Sequence, residues 1–91
     1  MTLNKEESKE DLKNLLGFMG IEILYAIDKG ARHDETIKLF SGLPISCIKG
    51  RTPILLELNL IFLNKKEYFL TEKGINLKNQ LEGANSHRSN I

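Results

Sequence analysis

The side chains of this chain with the clearest chemical use are four basic residues in a short stretch, Lys49, Arg51, Lys65 and Lys66. Between positions 45 and 66 they stand against a single acid, Glu57, which leaves a local charge of +3. Lys and Arg bind phosphate, and phosphate contacts supply most of the sequence-independent affinity of proteins for nucleic acid. The same charges could instead only solvate a surface. The elements that hold these residues decide between the two interpretations.

Length and composition predict one small domain. The chain has 91 residues, 41% of them hydrophobic, and a net charge of only +1. This hydrophobic content is high enough for a folded core, and the low net charge excludes a general polycation. We expect a single domain over 1–83, with an N-terminal helical part over 1–19, a core over 20–83 and a flexible tail over 84–91.

Cysteine content and hydropathy indicate a cytoplasmic location. Cys47 is the only cysteine, so neither an internal disulfide nor a cysteine-based zinc site can form. No apolar run approaches the roughly 20 residues needed to span a bilayer. The charged N-terminus lacks the apolar core of a signal peptide. We therefore predict no membrane association.

The first part of the chain predicts two helical segments. Leucines and a methionine recur there at helical spacing, namely Leu12, Leu15, Leu16 and Met19. Gly17 and Gly20 interrupt this stripe, either as helix ends or as points of close packing, and we expect a break or bend near Gly17. A strongly apolar helix follows over 21–27, and Gly30 is expected to end it.

A helix-turn-helix arrangement is predicted next. Asp34 is a suitable N-cap for a short helix over 35–40, with Ile37, Leu39 and Phe40 available for the core. The turn over 41–44 contains Gly42. A second helix over 45–59 would complete the unit, because two helices joined by a short glycine turn form this motif.

Pro53 leaves two interpretations of the second helix. Proline inside a helix removes a hydrogen bond and clashes with the preceding turn, at a cost of ~3 kcal/mol. In one interpretation a single helix kinks at Pro53. In the other, which we favour, a short turn ends at Gly50 and a new helix begins with Thr52 as N-cap and Pro53 at its first position.

A β-hairpin and a last helix complete the pattern. We expect strands over 60–63 and 68–70, joined by a turn over 64–67 in which Asn64 adopts a left-handed backbone. Thr71 is expected to cap a final helix that ends at Gly83. The fold class is therefore mainly α with a small β-hairpin, an α+β arrangement.

The order of elements resembles a winged helix-turn-helix domain. The resemblance covers about 20–81 and extends to small prokaryotic regulators of the MarR, PadR and ArsR types. It rests on the apolar helix over 23–27, Gly42-Leu43 at the turn, Leu60-Ile61 before the hairpin and Tyr68-x-Leu70-Thr71-x-x-Gly74 after it. Asn59 stands where these proteins usually have glycine, and asparagine can adopt the same left-handed conformation.

The resemblance implies a sequence-specific regulator of transcription that binds double-stranded DNA as a homodimer. Its second helix would enter the major groove, and its hairpin, the wing, would contact the backbone. The implied DNA-binding residues are Ser46, Lys49, Arg51, Thr52, Lys65, Lys66 and Lys38. The implied dimer interface consists of Leu12, Leu15, Leu16, Leu77 and Leu81.

Other functions remain open on the sequence. A winged helix can serve as a protein-interaction module without DNA binding, and a non-specific chromatin-coating protein is a third possibility. We expect no enzyme, cofactor, metal or small-molecule ligand, because no nucleophile stands with a base and no glycine loop cradles phosphate. Cys47 is expected to be a small apolar filler rather than a redox switch, and His33 lacks the partners of a metal site.

Overall fold

Four helices and one antiparallel hairpin make up the part of the chain that the structure describes. The computed structural model describes the backbone of residues 9–89 and the side chains of residues 14–83. In chain order the elements are α1 (Lys9–Asp28), α2 (Asp34–Ser41), α3 (Ile45–Glu57), β1 (Ile61–Asn64), β2 (Glu67–Leu70) and α4 (Glu72–Ser89). The predicted mainly helical α+β arrangement is confirmed. Among the described residues, no helix is both long and apolar enough to cross a bilayer.

Helix α1 bends where its sequence predicts. Gly17 has φ 67° and ψ −177°, outside the helical region, so α1 consists of two helical segments joined at this residue. Glycine adopts such a backbone without the steric cost that a Cβ would bring. A Cβ added to Gly20 would lie 2.9 Å from Cβ of Leu16. The bend and the close packing thus belong to different glycines.

The core lies between α1 and the other elements. Its fully buried side chains include Ile23, Leu24 and Ile27 of α1, which pack with apolar residues from α2, α3, the hairpin and α4. The prediction for α2 is correct only for Ile37, since Leu39 is 80% exposed and Phe40 50% exposed. Successive helical residues are rotated by about 100°, so Leu39 points almost opposite to Ile37. A helix of eight residues buries one narrow face here.

Helix α3 runs without a break through Pro53, so the interpretation that we favoured for this segment is wrong. Its N-cap is Pro44, not Thr52. Thr52 is 5% exposed and shares one buried stripe with Ile48 and Leu55. Burial of this stripe holds a single helix across the proline, whose ring lies on the exposed side. Packing therefore outweighs the local cost of proline.

The hairpin differs from the prediction by one residue at three strand ends, since β1 begins and ends one residue later and β2 begins one residue earlier. Ile61 pairs with Leu70 and Asn64 with Glu67, so each strand has four residues. Asn59 has φ 63°, which confirms its left-handed conformation. Asn64 lies in β1 and is not left-handed. Instead Lys65 and Lys66, the two loop residues, have φ 54° and 69°.

Helix α4 starts at its predicted cap and ends later than predicted. Thr71 Oγ1 accepts a hydrogen bond from Gly74 N at 3.0 Å and donates one to the Asn59 carbonyl oxygen at 2.6 Å. The cap is thus confirmed, and it also ties α4 to the end of α3. The helix continues through Gly83 to Ser89, so residues 84–89 are helical where we expected a tail.

Three of the leucines assigned to a dimer interface belong to the core of one chain. Leu16, Leu77 and Leu81 are 3%, 2% and 8% exposed. These leucines belong to apolar stripes on α1 and α4 that pack against the core of the same domain, as the apolar face of a helix usually does. Leu15 is 58% exposed. The side chain of Leu12 lies outside the described side chains.

Candidate nucleic-acid interface

The predicted DNA-binding residues of α3 do not share one face. Ser46 and Lys49 are exposed, and they flank an outer face completed by Gly50 and Pro53. Arg51 follows Lys49 by two residues, about 200° around the helix, so the two basic side chains leave α3 on nearly opposite sides. The structure therefore does not bring Lys49 and Arg51 together on one side of α3.

Two of these α3 residues are also restricted by burial. Thr52 is 5% exposed and cannot reach a bound macromolecule. The Arg51 side chain is half-buried, and its Nε has no hydrogen-bond partner within the described residues. Ser46 and Lys49 are thus the residues of the predicted α3 set that face outward.

Lys49 forms an ion pair with Asp34, a residue that the sequence pattern did not single out for binding. Lys49 Nζ lies 3.3 Å from Asp34 Oδ2, and the Tyr68 hydroxyl donates to Asp34 Oδ1 at 3.2 Å. Asp34 was predicted to cap α2, but His33 occupies that position and makes no side-chain capping bond. The contacts among Asp34, Lys49 and Tyr68 join α2, α3 and β2. Its members are distant in sequence, so no local spacing signals it.

The environment of Tyr68 keeps its hydroxyl protonated. Burial raises the pKa of Tyr68 above its ordinary value, and the negative charge of Asp34 acts in the same direction. A hydrogen bond with Thr52 opposes both effects without reversing them. The phenol therefore remains a hydrogen-bond donor, and it fixes the carboxylate that faces Lys49.

The hairpin tip lies beside the same carboxylate. An open groove of about 270 Å³ separates the tip from the start of α2, and it is lined by His33, Asp34, Glu35, Leu63, Lys66 and Tyr68. Lys49 and Lys66 thus both flank Asp34, one as its ion-pair partner and one across the groove. Lys65 is exposed at the tip, and Lys38 is exposed in the last turn of α2.

The acids of this region reduce the charge predicted from the sequence. The stretch over 45–66 carries +3, but Asp34 and Glu35 border it in space, and Glu67 follows the hairpin tip. These three acids offset the excess. The exposed cations of this region are therefore separate, with Lys65 and Lys66 at the hairpin tip and Lys49 beside Asp34, and do not form a continuous basic face.

Arg32 fixes the hairpin to the rest of the fold. Its Nη1 lies 2.7 Å from the Tyr68 carbonyl oxygen and 3.2 Å from those of Ile27 and Ala31. Tyr68 N donates back to the Arg32 carbonyl oxygen at 3.0 Å. The guanidinium carbon also lies 4.3 Å from the centroid of the Phe69 ring. Neither the charge pattern nor the spacing of the sequence predicted this clamp.

Replacing Arg32 by Ala is expected to destabilise the fold by about 2 kcal/mol. The loss combines a charged hydrogen bond with a cation–π contact. Thermal unfolding should show a midpoint lower by about 10 °C. Arg32→Lys keeps the charge but loses the planar donor group, so its midpoint should lie between the other two. An alanine variant that melts with the wild type would show that the clamp does not hold the hairpin.

Cysteine and metal-ligand residue types are the other groups with possible chemistry. Cys47 is free and half-buried in α3. Within the part of the chain described, no three His, Cys, Asp or Glu side chains gather as metal ligands would. No known protein-family model matches this chain, and no curated protein is similar to it. Among the described residues, the candidate site consists of Lys49 and Lys66 on either side of Asp34.

Proposed function

We propose that this chain is a winged-helix protein that binds double-stranded DNA and regulates transcription. In this proposal α2, the turn at Gly42 and α3 form the helix-turn-helix, and the β1–β2 hairpin is the wing. Helix α3 would enter the major groove, which accepts one helix, with Ser46 towards the base edges and Lys49 towards the phosphates that border the groove. Lys65 and Lys66 would contact the phosphate backbone.

The observation that carries the proposal is the common position of two lysines from different elements. Lys49 of α3 pairs with Asp34, and Lys66 of the hairpin lines the groove that Asp34 also lines. The outer face of α3 and the hairpin tip therefore present ammonium groups on the same side of the molecule. A helix beside a basic tip matches the shape of a groove flanked by phosphates.

A homodimer is part of the proposal. One chain offers few cations at the proposed interface. Two copies would double the contacts and read two half-sites about one helical turn (~34 Å) apart. The leucines buried in the core cannot form that interface. Among the described side chains of α1, Leu15 and Phe18 are 58% and 71% exposed on either side of Gly17 and are available for it.

The test is binding to duplex DNA over a salt series. Neutralising a phosphate releases counterions, so the logarithm of affinity falls with the logarithm of salt concentration by about 0.9 per contact. Contacts by Lys65 and Lys66, with Lys49 paired to Asp34, predict a slope of about −2 per chain, measured by gel shift or fluorescence anisotropy. Absence of binding at low salt, or binding independent of salt, would contradict the proposal. Selection from a random DNA pool then tests sequence preference.

A protein-interaction module is the second candidate, and exposed apolar side chains favour it. Leu39 is 80% exposed and Phe40 50% exposed at the end of α2. The outer face of α3 also carries little charge, with Gly50 and Pro53 at its centre. Replacing Leu39 and Phe40 by Ser should abolish partner binding in this case. The same change should leave the affinity for DNA unaffected if the wing and α3 make the contacts.

A further inference from the structure

We propose that Asp34 is a specificity-determining residue that competes with DNA phosphate for Lys49. The inference rests on the proposed DNA binding and assigns a role to a residue outside the basic set. In free protein the carboxylate holds the ammonium group of Lys49. On DNA, a phosphate can bind that group only by displacing the carboxylate. Asp34 thereby lowers the affinity for any phosphate backbone and leaves a larger share of binding to contacts with bases.

The geometry makes Asp34 the fixed partner and Lys49 the mobile one. The side chain of Asp34 is 18% exposed, and the Tyr68 hydroxyl holds its Oδ1 at 3.2 Å. The side chain of Lys49 is 66% exposed and contacts Oδ2 at 3.3 Å. The ammonium group of lysine lies at the end of a flexible chain of four carbons, so it can turn outward while the carboxylate stays in place.

The strength of the ion pair suits competition rather than permanent locking. A pair with one exposed partner contributes little to folding because water screens it. A phosphate can therefore capture Lys49 without unfolding the site. The negative charge that remains at Asp34 would still lie within a Debye length, about 10 Å at 0.1 M salt, of phosphates beside α3. Competition and repulsion thus act in the same direction.

The experiment compares Asp34→Asn with Glu35→Gln on a random 20-base-pair duplex over a salt series. Both variants remove one negative charge from the start of α2, but only the first releases Lys49. The Asn amide oxygen can still accept the Tyr68 hydrogen bond. D34N should bind about tenfold more tightly at 0.1 M salt and steepen the salt slope by about one, which corresponds to one added phosphate contact. E35Q should gain only about two- to threefold.

Two further variants make the assignment specific. In a Lys49→Gln background the gain from D34N should fall to the two- to threefold expected of E35Q, because no ammonium group is left to release and only the repulsion by the carboxylate is removed. In the wild type, K49Q alone should weaken binding by less than K65Q, since Asp34 already occupies Lys49. This last comparison does not require D34N to fold. Thermal unfolding of each variant establishes that it is folded at the assay temperature.

The outcomes separate this inference from the proposed function. If the wild type binds DNA but D34N gains no more than E35Q, Asp34 is not a competitor and DNA binding stands. If K49Q loses more DNA affinity than K65Q, Asp34 is likewise not a competitor, and DNA binding stands. If neither the wild type nor D34N binds the duplex at 0.05 M salt, both the inference and the proposed function are overturned.

Discussion

Replacing Lys65 and Lys66 by Glu is expected to weaken binding to duplex DNA at least about 100-fold at 0.1 M salt. Each phosphate contact contributes about tenfold at that concentration, and charge reversal adds repulsion to the loss of two contacts. The slope of log affinity against log salt should become shallower by about two. Both side chains are exposed at the tip of the hairpin, so the fold itself should tolerate the change. Fluorescence anisotropy with a labelled duplex measures the effect.

A second pair of substitutions separates charge from turn geometry. Lys65 and Lys66 both have positive φ, the requirement of a type I′ turn, for which Asn-Gly is the preferred sequence. Lys65→Asn with Lys66→Gly should therefore stabilise the hairpin by about 1–2 kcal/mol, because lysine is strained in the left-handed region. The same variant should bind DNA about 100-fold more weakly. Unchanged DNA binding would remove the hairpin from the interface.

The opposite signs of these two effects bear on why lysines occupy the turn. Side chains other than Gly, Asn and Asp rarely adopt two consecutive left-handed conformations, and such strain persists where the surroundings or function require it. Here the strained residues are also the most prominent exposed cations of the hairpin. A protein-interaction module that docks through Leu39 and Phe40 would gain stability from Asn-Gly and lose no contact. The lysine pair is therefore more readily explained by phosphate contact.

Local signals in the sequence were sufficient for the order of elements. Helical spacing predicted α1 and its bend, since Gly17 interrupts an otherwise continuous apolar stripe. The left-handed Asn59 and the cap at Thr71 follow from side-chain chemistry that acts over a few residues. The structure confirms these features. They could be predicted because the residues that cause each feature lie in the same short segment as the feature itself.

The features that sequence did not predict depend on contacts between distant segments. Pro53 is tolerated because Thr52 and its neighbours in the stripe are buried against other elements. Asp34 has the residue type of a helix cap, yet Lys49 and Tyr68 engage its carboxylate instead. Charge counted along the chain likewise overstated the basic face, because Asp34 and Glu35 approach it only in the folded protein.

Gly74 is where a single methyl group is expected to have the largest effect on stability. A Cβ added at this position would collide with the Leu60 carbonyl oxygen. That oxygen also accepts a hydrogen bond from Thr71 N at 3.0 Å, while Gly74 N donates to Thr71 Oγ1 at 3.0 Å. The clash therefore cannot be relieved by a side-chain rotation. Either the cap of α4 or the link to the start of the hairpin must break.

Gly74→Ala should accordingly destabilise the protein by about 3 kcal/mol, at the upper end of overpacking effects, and lower the unfolding midpoint by more than about 10 °C. Gly83→Ala is the matched control, since it makes the same change in the same helix with nothing within 4 Å of the new Cβ. It should raise stability by about 0.5–1 kcal/mol through helix propensity. Equal midpoints for the two variants would mean that α4 does not pack directly on the carbonyl of Leu60, and that the junction positioning the hairpin is looser than these contacts imply.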